Sequence, residues 1–189
     1  MVTYPVKNKE DIAKLSEYFK SANHRDYLLF LVGIYTANRI SDLIDLKVSH
    51  FFKPDLKTIR RHLILTEKKR DKKKTILIVE ELHTPLKEHL KIYRLKYDDY
   101  LFFSFINRKR HIDRTMAWRI LKRAAEHLGI EHFACHSLRK TFGYHFYKQY
   151  HDPFKLSKIL CHSSVKTSMI YSGIDQEEID NSLNEFKIC

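Results

Sequence analysis

Glycine and proline are scarce here, four of each in 189 residues, and nowhere do they gather with serine into a linker. With no low-complexity segment and no internal repeat, the chain reads as one domain, residues 1–189, of a size that supports a substantial core. Apolar stretches are short. The longest, Leu28 to Ile34, is far below the length that spans a bilayer, and the first residues lack the apolar core of a signal peptide. Three cysteines without CxxC spacing point to free thiols in a reducing cytoplasm. Cys135-His136 and Cys161-His162 are immediate neighbours in pairs, poorly spaced for closing a tetrahedron, so no metal is expected. Neither a phosphate-binding glycine loop nor a carboxylate cluster is present, which argues against a helicase or a two-metal nuclease.

Positive charge is in excess. Lysine and arginine total 35 against 23 acidic residues, a formal charge of +12. The basic residues spread over many predicted helices, with one cluster at Lys68 to Lys74 and no detached tail. Such an excess favours polyanions first and acidic membrane surfaces second, and a distributed basic face without a tail favours an extended anion such as DNA or RNA.

Periodicity predicts a mostly helical α+β fold with a small antiparallel β-hairpin. An amphipathic helix opens at Lys9 with Ile12, Leu15 and Phe19 on one face. A nearly all-apolar helix follows from Asp26 to Tyr35 and should lie centrally. Thr36 to Arg39 breaks it, and Ser41-Asp42 is expected to cap a short helix ending near Leu46. Leu63-Ile64-Leu65 and Thr75 to Val79 are predicted strands around a basic tip, with a third strand expected upstream. Pro85 starts a helix through Leu86, Leu90 and Tyr93. Asp113 and Gly129 bracket another, striped by Ala117, Ile120, Leu121, Ala124, Ala125 and Leu128. His136 opens a helix whose core face is Leu138, Phe142 and Phe146. Asp152-Pro153 starts the next, running through Ile159-Leu160. Residues 176–187 are predicted to form an amphipathic tail helix with Ile179, Leu183 and Phe186 on one side, which either packs on its own body or docks on a neighbouring subunit.

Two readings of Arg39 stand open at this point: a local ion pair with Asp42 or Asp45, or a guanidinium held in a cleft for an anion. Taken singly, His136, His162 and Tyr171 each read as packing or capping residues. Their order is more informative. Thr36-Ala37-Asn38-Arg39-Ile40-Ser41-Asp42-Leu43, the basic hairpin, His136-Ser137-Leu138-Arg139-Lys140-Thr141-Phe142, Leu160-Cys161-His162-Ser163-Ser164 and Tyr171 follow one another in the chain. This series resembles the catalytic domain of the tyrosine recombinases, the phage-integrase family, over almost the whole chain.

The resemblance implies a site-specific recombinase that cleaves and rejoins DNA through a 3′-phosphotyrosyl link, without cofactor, metal or ATP. It implies Arg39 and Arg139 as phosphate clamps, His136 as base, His162 as phosphate contact and Tyr171 as nucleophile. Lys69 on the hairpin would protonate the leaving 5′-oxygen, with Arg70-Asp71 replacing the family's usual turn and Lys68, Lys72, Lys73 and Lys74 competing for the role. Lys68, Arg70, Lys72, Arg108, Arg110 and Lys140 are the expected DNA contacts. A monomer in solution would assemble as a homotetramer on DNA through its tail, with accessory factors as further partners and the cytoplasm as location. The separate helical core-binding domain that most relatives carry ahead of the catalytic one is expected to be absent. Ala37 and Cys161 stand where the family has glycine; at positive φ each β-carbon would cost on the order of 1 kcal/mol. The competing reading is a DNA-binding regulator that keeps the fold without recombining.

Overall fold

In the computed structural model, residues 3–66, 73–161 and 183–187 are described. Lys68, Lys69, Arg70, Lys72, His162, Tyr171 and the first part of the predicted tail lie outside these residues. The described elements are α1 (Lys9–Ala22), α2 (His24–Thr36), α3 (Ile40–Ile44), α4 (Val48–Phe51), β1 (His62–Thr66), β2 (Lys73–Leu77), a 3-10 turn (Glu80–Leu82), α5 (His83–Tyr93), α6 (Arg114–Leu128), α7 (Cys135–Tyr150) and α8 (Pro153–Leu160). The α+β class with a small antiparallel hairpin is as expected.

The apolar helix is central. α2 packs against α1, α3, α5 and α7. It sends Leu28, Leu29 and Val32 into a core shared with α3 to α5 and the hairpin, and Phe30 into a second core with Phe19, Leu121 and Leu138. It begins two residues before Asp26 because Asn23 caps it, accepting from the Asp26 amide. Gly33 lets α7 approach closely, since a β-carbon there would fall 2.5 Å from Leu138 Cδ1. α6 keeps the limits its caps dictate: Asp113 accepts from the Met116 amide, and Gly129 closes the helix at φ +66°.

Two local expectations are corrected. Ser41 and Asp42 lie inside α3, whose N-cap is Arg39, without a side-chain bond. The chain leaves Ala37 already turned, so helical dihedrals resume one residue before the polar pair. The third strand is also missing among the described residues; only a single bridge, Phe52 to Ile59, forms upstream of β1. Between them Asp55 accepts from the amides of Lys57 and Thr58 and from the Thr58 hydroxyl, which bends the chain too tightly for a ladder.

β1 and β2 pair antiparallel, with Leu63 opposite Ile76 and Leu65 opposite Lys74. Leu63 and Ile76 face the core, whereas Ile64 and Leu77 are about half exposed. Strand alternation therefore places Lys74 on the inward side with Ile76. No described helix is long and apolar enough to cross a membrane.

Both positions where glycine is missing adopt the left-handed conformation, with φ 50° at Ala37, closing α2, and 51° at Cys161, closing α8. The strain anticipated at each is thus present. Its removal should differ between the two. Cys161→Gly is expected to raise unfolding free energy by about 1 kcal/mol. Ala37 is fully buried against Leu156 and Leu160, so Ala37→Gly loses a buried methyl worth about 0.8 kcal/mol and should come out near neutral. Urea unfolding midpoints of the two variants check the difference.

Candidate active site

The carbonyl groups at the ends of two helices define the site. A helix leaves its last carbonyls without intrahelical partners, and they carry the negative end of its dipole. Arg139, in the second turn of α7 and 2% exposed, donates from Nη1 to Ala37 O at 2.6 Å and from Nη2 to Leu160 O. One guanidinium thus ties the end of α2 to the end of α8. Its planar fork suits this task, because two donors diverge from a rigid centre.

Arg39 follows two residues after the tethered Ala37 and exposes its side chain. Asp45, one of its two anticipated partners, meets His111 Nε2 at 3.2 Å. His136 lies one turn before Arg139 on α7, exposed at the helix start. Although His136 is exposed overall, partial desolvation of its ring lowers its pKa, and the charges of Arg139, Lys140 and Arg39 lower it further. The imidazole is therefore neutral at pH 7 and able to accept a proton.

Lys74 completes the cluster. Its Nζ donates to Asn38 Oδ1 at 2.9 Å. Burial pushes its pKa down to about 8; Arg139 and Arg39 push in the same direction, while Cys161 and Asp42 oppose them. Among the hairpin lysines, this is the one the described structure brings to the arginines. Lys69 lies outside the described residues. Lys74 carried a signal in the sequence, namely its two-residue spacing from the apolar Ile76 and Ile78, both of which are buried.

Three of the expected DNA contacts, Arg108, Arg110 and Lys140, lie within the described residues. Lys140 Nζ donates to Thr3 O at 2.5 Å, and Thr141 Oγ1 accepts from the Val6 amide, so this part of α7 holds the N-terminal segment. Arg108 donates to Tyr93 O at 2.6 Å and stacks over Phe103, securing the loop in which Arg110 is exposed. The cleft between α1 and α6, lined by Tyr18, Met116, Arg119 and Arg123 among others, shares no residue with the site. No group of three or more metal-ligating side chains occurs among the described residues.

Three cations from separate segments around one locus make an anion site, and the neutral imidazole beside them makes it suited to moving a proton. Comparison with known proteins gives the same direction. The sequence model described as the phage integrase family matches residues 6–178. The probable integrase/recombinase YoeC of Bacillus subtilis is 42% identical over 176 residues, covering 93% of this chain and 92% of that protein. Tyrosine recombinase XerA of Pyrococcus furiosus is 29% identical over 93% of this chain, but the chain spans only 59% of it. Among solved structures, a XerA recombinase superposes with a TM-score of 0.78 at 24% identity, over 98% of this chain and 65% of that one. XerH bound to its palindromic difH substrate superposes at 0.76 and 21% identity, over 94% of this chain and 51% of that one. Both superpositions establish the fold.

The cationic crowding has a measurable stability consequence. Because the pKa of Lys74 falls from 10.5 to about 8 on folding, the unfolded chain holds more protons between those values. Folding stability contributed by this group therefore rises with pH through that window and is lowest below it. After discounting for partial exposure, the buried ammonium costs on the order of 1–3 kcal/mol at pH 7. Lys74→Met is expected to raise unfolding free energy at pH 7 by about 1–2 kcal/mol and to flatten its rise between pH 8 and 10. Urea unfolding across that range is the check.

Proposed function

The chain belongs to the phage integrase family, and from that premise we propose that it is a site-specific DNA recombinase of the tyrosine type, cutting and rejoining strands through a 3′-phosphotyrosyl intermediate. The observation that carries this reading at the level of the site is the convergence of Arg39, His136, Arg139 and Lys74 from three separate parts of the chain. A phosphodiester attacked by oxygen builds negative charge on its non-bridging oxygens, and guanidiniums stabilise that charge by paired hydrogen bonds.

In the proposed step Tyr171 Oη attacks phosphorus, an O–P bond forms and the bond to O5′ breaks. The phenol proton passes to His136, whose lowered pKa keeps it ready to accept. A hairpin lysine gives its proton to the departing O5′. Lys69 is the family-derived candidate, and Lys74 is the lysine already beside the arginines. His162 would hydrogen-bond the phosphate. The phosphotyrosyl link conserves the ester for rejoining, so the sequence of steps balances without ATP or metal.

Double-stranded DNA is the substrate, drawn by the +12 charge and by the basic hairpin, with Arg108, Arg110 and Lys140 as further contacts. The protein would act in the cytoplasm as a homotetramer on DNA, from a monomeric free state and with accessory factors setting direction. Residues 176–187 would dock in trans. Leu183 and Phe186 are 65% and 68% exposed, as an unpartnered apolar face requires.

The test uses DNA selected for binding and nicked on one strand near the scissile phosphate. Wild type should form a covalent protein–DNA adduct, and Tyr171→Phe should form none. Failure of wild type on bound DNA would overturn the recombinase and favour the regulator. To assign the acid, Lys69→Met and Lys74→Met are assayed on DNA whose 5′-bridging oxygen is sulfur, which leaves without a proton. The variant that lost the acid should be slowed by about 100-fold or more on the oxygen ester and rescued on the sulfur one. Deleting 176–189 should leave cleavage intact and abolish synapsis.

A further inference from the structure

The proposed reaction gives no task to Asn38, the residue between the left-handed Ala37 and the exposed Arg39. Asn38 is 2% exposed. Its Oδ1 accepts from Lys74 Nζ, while its Nδ2 is buried without a hydrogen-bond partner among the described residues. A buried N–H left unsatisfied costs about 1–3 kcal/mol. Leucine, of similar size, would fill the position without that cost. What the amide provides and an apolar side chain does not is one neutral acceptor. The amide's orientation follows from the same chemistry, since an ammonium has three donors and no acceptor and must take the oxygen end.

We propose that Asn38 is a positioning residue, whose side-chain oxygen holds the Lys74 ammonium beside Arg39 and Arg139 for the reacting phosphate. The proposal deepens the recombinase reading and rests on it. The contact joins the base of the hairpin to the α2–α3 junction, across 36 residues, so the same bond that aims the lysine also registers the two segments. Without it, Nζ would sit at the end of a four-carbon stem with rotatable bonds, among charges that repel it. Among the described residues, the charged and titratable groups facing Lys74 are Arg39 just before α3, Asp42 on α3, Arg139 on α7 and the Cys161 thiol at the end of α8.

A neutral acceptor also suits Lys74 as a candidate acid alongside Lys69, because it leaves the proton free to go. A carboxylate at position 38 would hold that proton firmly and cancel one cation of an anion site. An aliphatic side chain would favour the charged amine less and aim it nowhere. The amide orients the group while leaving its charge in place.

Asn38→Leu and Asn38→Asp test this in the full chain. Lysines are reductively methylated with carbon-13, and the Lys74 resonance is identified by its loss in Lys74→Arg. The Lys74 titration midpoint should fall in the leucine variant and rise by about one unit or more in the aspartate variant. On nicked DNA, the leucine variant should cleave about tenfold or more slowly at pH 7.5, and the alkaline limb of the rate profile should move in the direction of each midpoint. Midpoints that stay at the wild-type value in folded variants would overturn the proposal, as would slower cleavage with an unmoved limb, the mark of a purely structural role. If the leucine variant does not fold, the aspartate variant decides alone. The titration needs no DNA, so the two readings fail separately: shifted midpoints without wild-type cleavage would retire the recombinase and keep the Asn38–Lys74 pairing.

Discussion

The bond on which the site depends is the fork of Arg139 between Ala37 O and Leu160 O. A buried guanidinium requires acceptors, and helix C-termini require donors. Each need is met by the other, 102 residues apart for α2 and 21 for α8. The consequence reaches beyond stability. Arg39 begins two residues after one tethered carbonyl, and His162 stands two after the other. A single side chain thereby joins the ends of α2 and α8 to α7. Each tethered carbonyl sits at a left-handed helix end, since Ala37 carries one itself and Cys161 directly follows the other.

Crowding cations around that fork creates an electrostatic deficit which an anion relieves. Lys74 holds its proton weakly, chiefly because it is buried and next because Arg139 repels it. His136 stays neutral for the same two reasons in the same order. A phosphate entering such a site meets donors fixed before it arrives, which is the condition for electrostatic stabilisation without reorganisation.

The block from His136 to Phe142 divides its work finely. His136 and Arg139 face the site, Leu138 fills the place that Gly33 leaves, and Phe142 stacks on Phe146 against the α8 core. Lys140 and Thr141 instead hold the N-terminal segment through Thr3 and Val6, which fixes α7 from its other side. Adjacent residues thus support chemistry and packing alternately, as helical geometry dictates for side chains 100° apart. For Lys140, expected at DNA, this means its ammonium already has a structural acceptor.

Most of the helices were legible in the amino-acid order because their signals are local. Asp113, Gly129 and Asp152-Pro153 act on amides and carbonyls within one turn, and the apolar stripe of α6 repeats within the helix itself. The expected third strand failed for a reason equally local but harder to weigh, the three bonds that Asp55 gathers into a tight bend. The chemical inventory, two arginines, histidines, a basic hairpin and a distant tyrosine, was likewise legible as an ordered series. Which carbonyls hold Arg139, that Asn38 engages Lys74, and which described lysine meets the arginines were not. Those contacts join residues 21 to 102 positions apart, and their strength comes from burial that exists only once α2, α7, α8 and the hairpin have packed together.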